Sequence, residues 1–452
     1  MDSAMEARWR RWYVLVLLTV VYASNIADRF VISTLIEPIR IEFHLSDSSV
    51  GFLTGTALAI FYTGMGLPLG MIADRVNRRK LLSISIAIWS AMTAACGLAG
   101  NYIQLLIARI GVGTGEAGGT PASQSIIADL FPFSERTVAN SIFSLGAAGG
   151  SMLGAMAGGL IADAFGWRWS FIALGVPGIL LALIVRFTIR EPRRQERGSR
   201  ETTERAPSFL TTVKFIGKQR SLLHMLAGQV TVTFWGWGLL WWTPAFMARS
   251  HGFTTGDAGK LLGLINGVCG AVGILVGGVV IQRLGRKDPR WQCWIVAAVT
   301  LVGTFLSIGV YATGSRTVAT ALLWLFVPAA YINLAPSFSL AQSLVPPRMR
   351  ALCCAIMIFG SNIANLAVAP QLIGLVSDVL IRFTGAAQES LRYALVIASF
   401  SGFWAAYHYW ASARNLVHDL RHADGAWSEV GVLIPASPRP EGQDQNRALG
   451  RI

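Results

Sequence analysis

The sequence predicts an all-α polytopic membrane protein, with twelve transmembrane helices in two six-helix, pseudo-symmetric bundles. Three observations carry that prediction. Charged residues make up only 14% of the 452 positions and hydrophobic ones 53%, whereas soluble domains carry about 25% charged residues. A bilayer imposes such a deficit, because an ionised side chain at its centre costs about 2.5–3.5 kcal/mol. Twelve apolar spans follow one another, at roughly 12–35, 49–73, 80–99, 102–128, 137–161, 168–188, 222–247, 257–282, 292–312, 318–342, 349–378 and 391–412. Each has about 20 residues or more, which at about 1.5 Å per residue crosses a hydrocarbon core about 30 Å thick. Finally, Gly70-Met71-Ile72-Ala73-Asp74-Arg75-Val76-Asn77-Arg78-Arg79-Lys80, between spans 2 and 3, is echoed by Gly278-Val279-Val280-Ile281-Gln282-Arg283-Leu284-Gly285-Arg286-Lys287 between spans 8 and 9. One signature at the same place in each half divides the chain into an N-terminal bundle (1–188), a linker (189–220), a C-terminal bundle (221–413) and a tail (414–452).

Span 1 follows Arg8, Arg10 and Arg11. It is too long for a signal peptide, carries charges and leads into eleven more spans, so it reads as an uncleaved anchor. With the N-terminus placed in the cytoplasm, only Arg40, Arg168, Arg249, Lys260, Arg316, Arg382 and Arg392 fall in outer segments, and most of the 38 Lys and Arg lie inside. That is the positive-inside pattern, with both termini cytoplasmic. The formal charge of +14 is then spent on topology and on anionic lipid headgroups, and nucleic acid is not an expected partner. The setting expected is a cell membrane of the bacterial inner-membrane type. The partners expected are membrane lipids and a small-molecule or lipid-like substrate, on a monomer.

The ionisable groups inside spans need a reason to be there. Asp28 and Arg29 lie in span 1, near Asn25, and Arg109 and Glu116 lie in span 4. Seven residues turn a helix through about 700°, so Arg109 and Glu116 share a face. Arginine stays protonated, which leaves the carboxylates Asp28 and Glu116 as proton carriers and Arg29, Arg109 and Asn25 as anion anchors or counter-ions. A structural salt bridge is the alternative. Span 5 holds Gly146, Gly150, Gly154 and Gly158 at intervals of four, as close helix packing requires.

The linker is dense in Arg and Glu up to Arg205. Phe209, Val213 and Ile216 then share a face, as expected of a helix lying on the membrane surface. In span 7, Trp241 and Trp242 sit near the outer end and read as interfacial belt, while Trp235 and Trp237 are deeper. Interior polar groups of the second half are neutral: Gln229, Asn266, Tyr331, Asn333, Asn362, Asn365 and Gln371. Of these, Asn266, Tyr331, Asn333, Asn362 and Asn365, with Trp235 and Trp237, are the candidate cavity lining. His408 in span 12 is the one titratable exception. Cys96, Cys269, Cys293, Cys353 and Cys354 all fall in spans without metal-ligand spacing and read as small buried residues. From about residue 414 the tail turns polar and is expected to be disordered. No phosphate-cradling loop or Ser–His–Asp set is present, so the chain is not expected to be an enzyme or to hold a cofactor. The proton is the coupling ion expected.

The Gly-x-x-x-Asp-Arg-x-x-Arg-Arg motif resembles that of the major facilitator superfamily. Asn25-Ile26-Ala27-Asp28-Arg29-Phe30, Ser46-Asp47, Gly111-Val112-Gly113-Thr114-Gly115-Glu116-Ala117 and Ile127-Ala128-Asp129-Leu130-Phe131-Pro132 resemble its Spinster-like branch, strongly over about 25–165 and diffusely beyond. The resemblance implies that spans 1 and 4 line a central cavity, with Asp28, Arg29 and Glu116 in one proton-coupling site. It also implies a cytoplasmic latch of Gly70, Asp74, Arg75, Arg78 and Arg79 with Asp129, in which Asp74 faces the start of span 11. Asn77 stands where many members have Gly, and Gln282 replaces the acid in the second copy, which predicts a weaker latch there. Span 5 lacks the Pro of the antiporter signature, which speaks against the drug–proton antiporter branch. Animal members of the Spinster-like branch carry sphingosine-1-phosphate or lysophospholipids. The function implied is proton-coupled alternating-access transport of an organic or amphipathic anion. The alternatives are a carrier of small organic acids or sugars, and a receptor or scramblase on the same scaffold.

Overall fold

A computed structural model describes residues 2–73, 77–189 and 209–429, and every regular element among them is helical. Helix α1 (Asp2–Thr34) forms span 1 and leads into the short α2 (Ile36–Glu42). Span 2 is α3 (Asp47–Gly51), a π turn at Phe52–Thr56 and α4 (Ala57–Ala73). Span 3 is α5 (Arg78–Cys96), whose N-cap Asn77 accepts the Lys80 amide at 2.9 Å. Asn77 is extended here, with φ −65°, so the position needs no left-handed backbone and Gly has no advantage over Asn. Span 4 breaks directly after Glu116, between α6 (Tyr102–Glu116) and α7 (Gly119–Leu130). Helices α8 (Phe133–Phe165) and α9 (Trp167–Thr188) complete the first half.

After α10 (Phe209–Lys218), α11 (Arg220–His251) is span 7. Span 8 is α12 (Thr255–Leu264), a π turn at Ile265–Cys269 and α13 (Gly270–Gly285). Helix α14 (Arg290–Ala312) is span 9, and α15 (Arg316–Tyr331) with α16 (Leu334–Ser343) is span 10. Helix α17 (Arg350–Asn362), a π turn at Ile363–Val368 and α18 (Ala369–Thr384) make span 11. Span 12 is α19 (Ala387–Ser399) and α20 (Ser401–Glu429). The halves repeat each other in detail: spans 2 and 8 carry a π turn near their start, and spans 4 and 10 each break in mid-course, after Glu116 and Tyr331. Six of the spans, 1, 5, 6, 9, 10 and 11, are long and apolar enough to cross a membrane by length and composition alone. Spans 2, 4 and 8 are cut by π turns or a bend.

Within the first half α1 packs on α8 and α5 on α9; within the second α11 packs on α20 and α14 on α20. The halves meet through α8 against α12 and α3 against α18. Two expectations are corrected here. The polar tail is helical as far as Glu429, because Ala413 and Leu416 are buried in a small core with Leu222, Met225 and Ile216. Asp419 also accepts the Ser221 amide at 2.9 Å at the start of α11. Helix α10 turns Ile216 into that core and leaves Phe209, Leu210 and Val213 exposed, so Ile216 does not share their outward face. Residues 190–208 and 430–452, covering the Arg- and Glu-dense linker and the rest of the tail, lie outside the described residues.

Candidate functional site

The charged residues of spans 1 and 4 converge inside the first half. Glu116, at the break in span 4, has no exposed side-chain surface, and its Oε2 lies 2.7 Å from both Nε and Nη2 of Arg29. The Arg29 guanidinium stacks over the Tyr62 ring at 4.5 Å, so its positive charge meets a carboxylate at one edge and a π face at the other. Asn25, one turn earlier on α1, is buried beside Glu116. Arg109 is 1% exposed and its Nη1 donates to the main-chain oxygen of Asp28 at 3.3 Å. Asp28 is also 1% exposed, and neither carboxylate oxygen has a hydrogen-bond partner. The four residues do form one cluster. Its pairing is Arg29 with Glu116, which leaves the Asp28 carboxylate without an ion pair, with Thr93 and Arg109 as its polar neighbours.

The second half faces this cluster with aromatic rings. Phe30, next to Arg29, meets Trp237 at 6.2 Å and Trp241 at 5.6 Å. Trp237 contacts Tyr331 edge-on at 4.8 Å, and the Tyr331 hydroxyl donates to Asn266 Oδ1 at 3.3 Å. Asn266 lies in the span 8 π turn, and Asn365, in the span 11 π turn, accepts from Trp241 Nε1 at 2.9 Å. Asn333 is buried and donates to Ala330 O, and Asn362 is half-buried. Trp235 takes no part: it is fully buried on the other side of α11, donating to Ser307 Oγ at 3.2 Å and packing on Phe326. Trp241 and Trp242 are not belt residues. Both are buried, and Trp242 Nε1 donates to Pro370 O at 3.1 Å. Their indole N–H groups need acceptors, and span 11 supplies them, from its π turn for Trp241 and from α18 for Trp242, where a membrane interface would supply water.

The two ends of the bundle differ. On the face opposite the termini, Arg249 at the end of α11 bonds both oxygens of Asp47, at 2.9 and 2.7 Å, and Glu37 at 2.6 Å. Asp378 on α18 accepts the Asp47 and Ser48 amides, each at 2.9 Å, capping the start of α3. Thr56, closing the span 2 π turn, donates to Ala367 O in the span 11 π turn at 2.7 Å. A π turn releases main-chain carbonyls from the helix ladder, and here the other half uses one. On the face carrying the termini, Arg78 pairs with Asp129 at 2.6 Å and donates to Ser125 Oγ at 2.7 Å, while Arg79 donates to Ile189 O. The expected Arg–Asp129 contact therefore lies within the first half. Gly70 sits in the last turn of α4. Asp74, Arg75 and the Gln282 side chain lie outside the described ones.

Sequence reasoning missed Tyr62, Glu37, Arg249 and Asp378. Asp378 had a signal, as a carboxylate at the edge of an apolar span. Arg249 was counted only as an outer charge. Among the described residues no group of three or more His, Cys, Asp or Glu is placed to hold a metal, and all five cysteines are free thiols.

Over residues 18–369 the sequence matches the model of the Major Facilitator Superfamily. It is 31% identical over 411 residues to an MFS-type efflux pump of Mycolicibacterium smegmatis, covering 90% of this chain and 93% of that relative. It is 28% identical over 404 residues to the sphingosine-1-phosphate transporter SPNS2 of Danio rerio, covering 83% of this chain and 79% of the relative. Among solved structures, a bacterial homolog of the human lysosomal transporter Spinster, inward-facing and unoccupied, superposes with a TM-score of 0.83. The two are 29% identical, and the match spans 91% of this chain and 98% of that one. With the repeated halves and the buried charge cluster, these similarities establish that the chain belongs to the Major Facilitator Superfamily, in its Spinster-like branch, and is a multi-pass membrane transporter.

Proposed function

We propose that the chain couples proton movement to transport of an organic or amphipathic anion, of lysophospholipid or sphingoid-phosphate type, by alternating access. The observation that carries this reading is Asp28, a fully buried carboxylate with no hydrogen-bond partner, one residue from the Arg29–Glu116 ion pair. An acid in that position can hold a proton in one conformation and release it when a guanidinium approaches in another. Arg29, 14% exposed at its side chain, is the cation that an anionic headgroup would meet. The rings of Phe30, Tyr62, Trp237 and Tyr331 suit the apolar part. The Lys and Arg distribution supports a bacterial inner membrane with the termini in the cytoplasm. The closed face with Arg249 is then the outer one, and the state is inward-facing. Proton as sole coupling ion, no other cofactor and a monomeric carrier belong to the same reading.

A second reading, export of a different substrate class, is favoured by the similarity to an MFS-type efflux pump. Purified protein in liposomes, with a pH-sensitive dye inside, separates the two. Lysophospholipids, sphingoid phosphates, small carboxylates, sugars and hydrophobic cations are added in turn to wild type and Asp28→Asn. Proton movement evoked by the anionic amphiphiles and lost in the variant is the expected result. Wild-type proton movement in Asp28→Asn would remove Asp28 from coupling. Movement evoked only by cations or sugars would reassign the substrate.

A further inference from the structure

Two histidines meet in the second half, away from the carboxylate cluster. His224 lies one turn into α11, His408 lies on α20, and their Nδ1 atoms are 2.9 Å apart. His408 Nε2 lies 2.6 Å from Trp404 Nε1. The helices press together here, with Gly228 of α11 set against Tyr409 and the Cβ of His408. An indole nitrogen can only donate, so His408 Nε2 accepts and its own proton sits on Nδ1. That N–H points at His224 Nδ1, which accepts it, and the His224 proton is left on Nε2. One donor and one acceptor thus face each other at both contacts, and the neutral pair has a single arrangement of its protons.

We propose that His224 and His408 form a proton-binding site of the second half that takes up one proton for the pair and excludes a second while α11 and α20 stay in contact. The first proton enters at His408 Nε2. Trp404, 65% exposed, swings aside, and His408 then donates Nδ1–H to His224 as an imidazolium. That bond is charge-assisted, and such bonds are about twice as strong as neutral ones. A second proton has only His224 Nδ1 to go to. There it would face the His408 Nδ1–H at 2.9 Å, donor against donor and cation against cation.

Among the described residues the surroundings do not offset a second charge. On α20, Tyr407 stands 5.5 Å from the His408 ring and 6.2 Å from the His224 ring, and Arg414 lies over Trp410. Asp419, nearly three turns further along, is engaged at the Ser221 amide. On α11, Arg220 lies one turn before His224 and no acid is present. Helices α14 and α17, packed on this pair of helices, contribute Arg290 and Arg350 with Cys293, Cys353 and Cys354, and no carboxylate. Helix α10 adds Lys214 and Lys218.

The test counts protons on the full chain in nanodiscs of uncharged lipid, in an Asp28→Asn background so that Asp28 adds nothing and Glu116 is common to every variant compared. Proton uptake from about pH 8 to about pH 5, the range in which histidines change charge, is measured by potentiometry. The parent, His224→Gln, His408→Gln and the double variant are compared. Glutamine keeps a donor and an acceptor at each place, and thermal melts verify that all four fold. Equal uptake by the parent and both single variants, with one proton fewer in the double variant, is the expected result. A loss of one proton in each single variant would show two independent histidines and overturn the proposal, as would no loss in the double variant. Nitrogen-15 spectra of labelled histidine supply a second readout: at high pH, His408 should carry its proton on Nδ1 and His224 on Nε2.

Discussion

Arg249 near the end of α11 and Asp47 at the start of α3 are joined by two hydrogen bonds, of 2.9 and 2.7 Å, across the two halves of the molecule. The side chains are 4% and 6% exposed. Asp47 also accepts from Ser377 Oγ at 2.6 Å, and Arg249 also holds Glu37. One carboxylate therefore ties α11 and α18 to α3, and closes the end of the molecule opposite the termini.

Arg249→Ala leaves the buried Asp47 carboxylate without its cation, while the half-buried Glu37 keeps Arg40 at 2.7 Å. Breaking such a pair costs about 3–5 kcal/mol, here charged against the closed arrangement of that face. Spin labels at Ile41→Cys and Phe383→Cys, both exposed positions on opposite halves, are expected to gain a longer-distance population in the variant. An unchanged distance distribution would show that other contacts close the face.

Stability separates the two candidate proton carriers. Asp28 has no ion pair to lose, so Asp28→Asn is expected to melt at or above the wild-type temperature. Glu116→Gln strips the Arg29 guanidinium of its counter-charge in a buried site and is expected to cost about 3–5 kcal/mol. Thermal unfolding in detergent checks the order. Equal melting of the two variants would contradict the pairing described above.

The glycines of α8 are not equivalent. Any side chain at Gly150 or Gly154 would run into the α1 backbone at Ala23 or Ala27, whereas Gly149 faces open space. Gly150→Ala and Gly154→Ala are expected to destabilise by about 1–3 kcal/mol through overpacking. Gly149→Ala is expected to be neutral or to stabilise by up to about 1 kcal/mol through helix propensity. Melting curves of the three variants decide this.

Glu42, beyond the end of span 1, accepts from Arg168 at 2.8 Å and from Trp167 Nε1 at 2.7 Å. The bonds from Arg168 and then Trp167 hold its carboxyl below the usual glutamate range. A depressed carboxyl contributes stability above its unfolded pKa and loses it as pH falls through the folded value. The site is solvent-exposed, so the contribution to stability is small. Carbon-13 titration of the Glu42 carboxyl should show a midpoint below that of an ordinary glutamate. Arg168→Gln should raise it, and a midpoint unmoved by that change would dismiss the ion pair as its cause.

Twelve spans, two halves and the residues of the charge cluster could be read from the sequence by itself. Span length against bilayer thickness and the cost of a charge in hydrocarbon act locally, and a linear chain records them. The helical period also put Arg109 and Glu116 on one face. What it could not supply was the neighbour opposite that face. Only the tertiary approach of these long side chains between α1 and α6 decided that Glu116 takes Arg29, that Arg109 reaches the Asp28 main chain, and that the Asp28 carboxylate is left without an ion pair. Trp241 and Trp242 show the same boundary, since an aromatic ring near a span end looks alike whether it meets lipid or another helix. The Arg249–Asp47 pair and the His224–His408 pair join residues about two hundred and one hundred and eighty positions apart, and their partners are set by how helices from distant parts of the chain cross. The chain fixes which face of each helix is costly to expose, and the tertiary structure fixes what covers it.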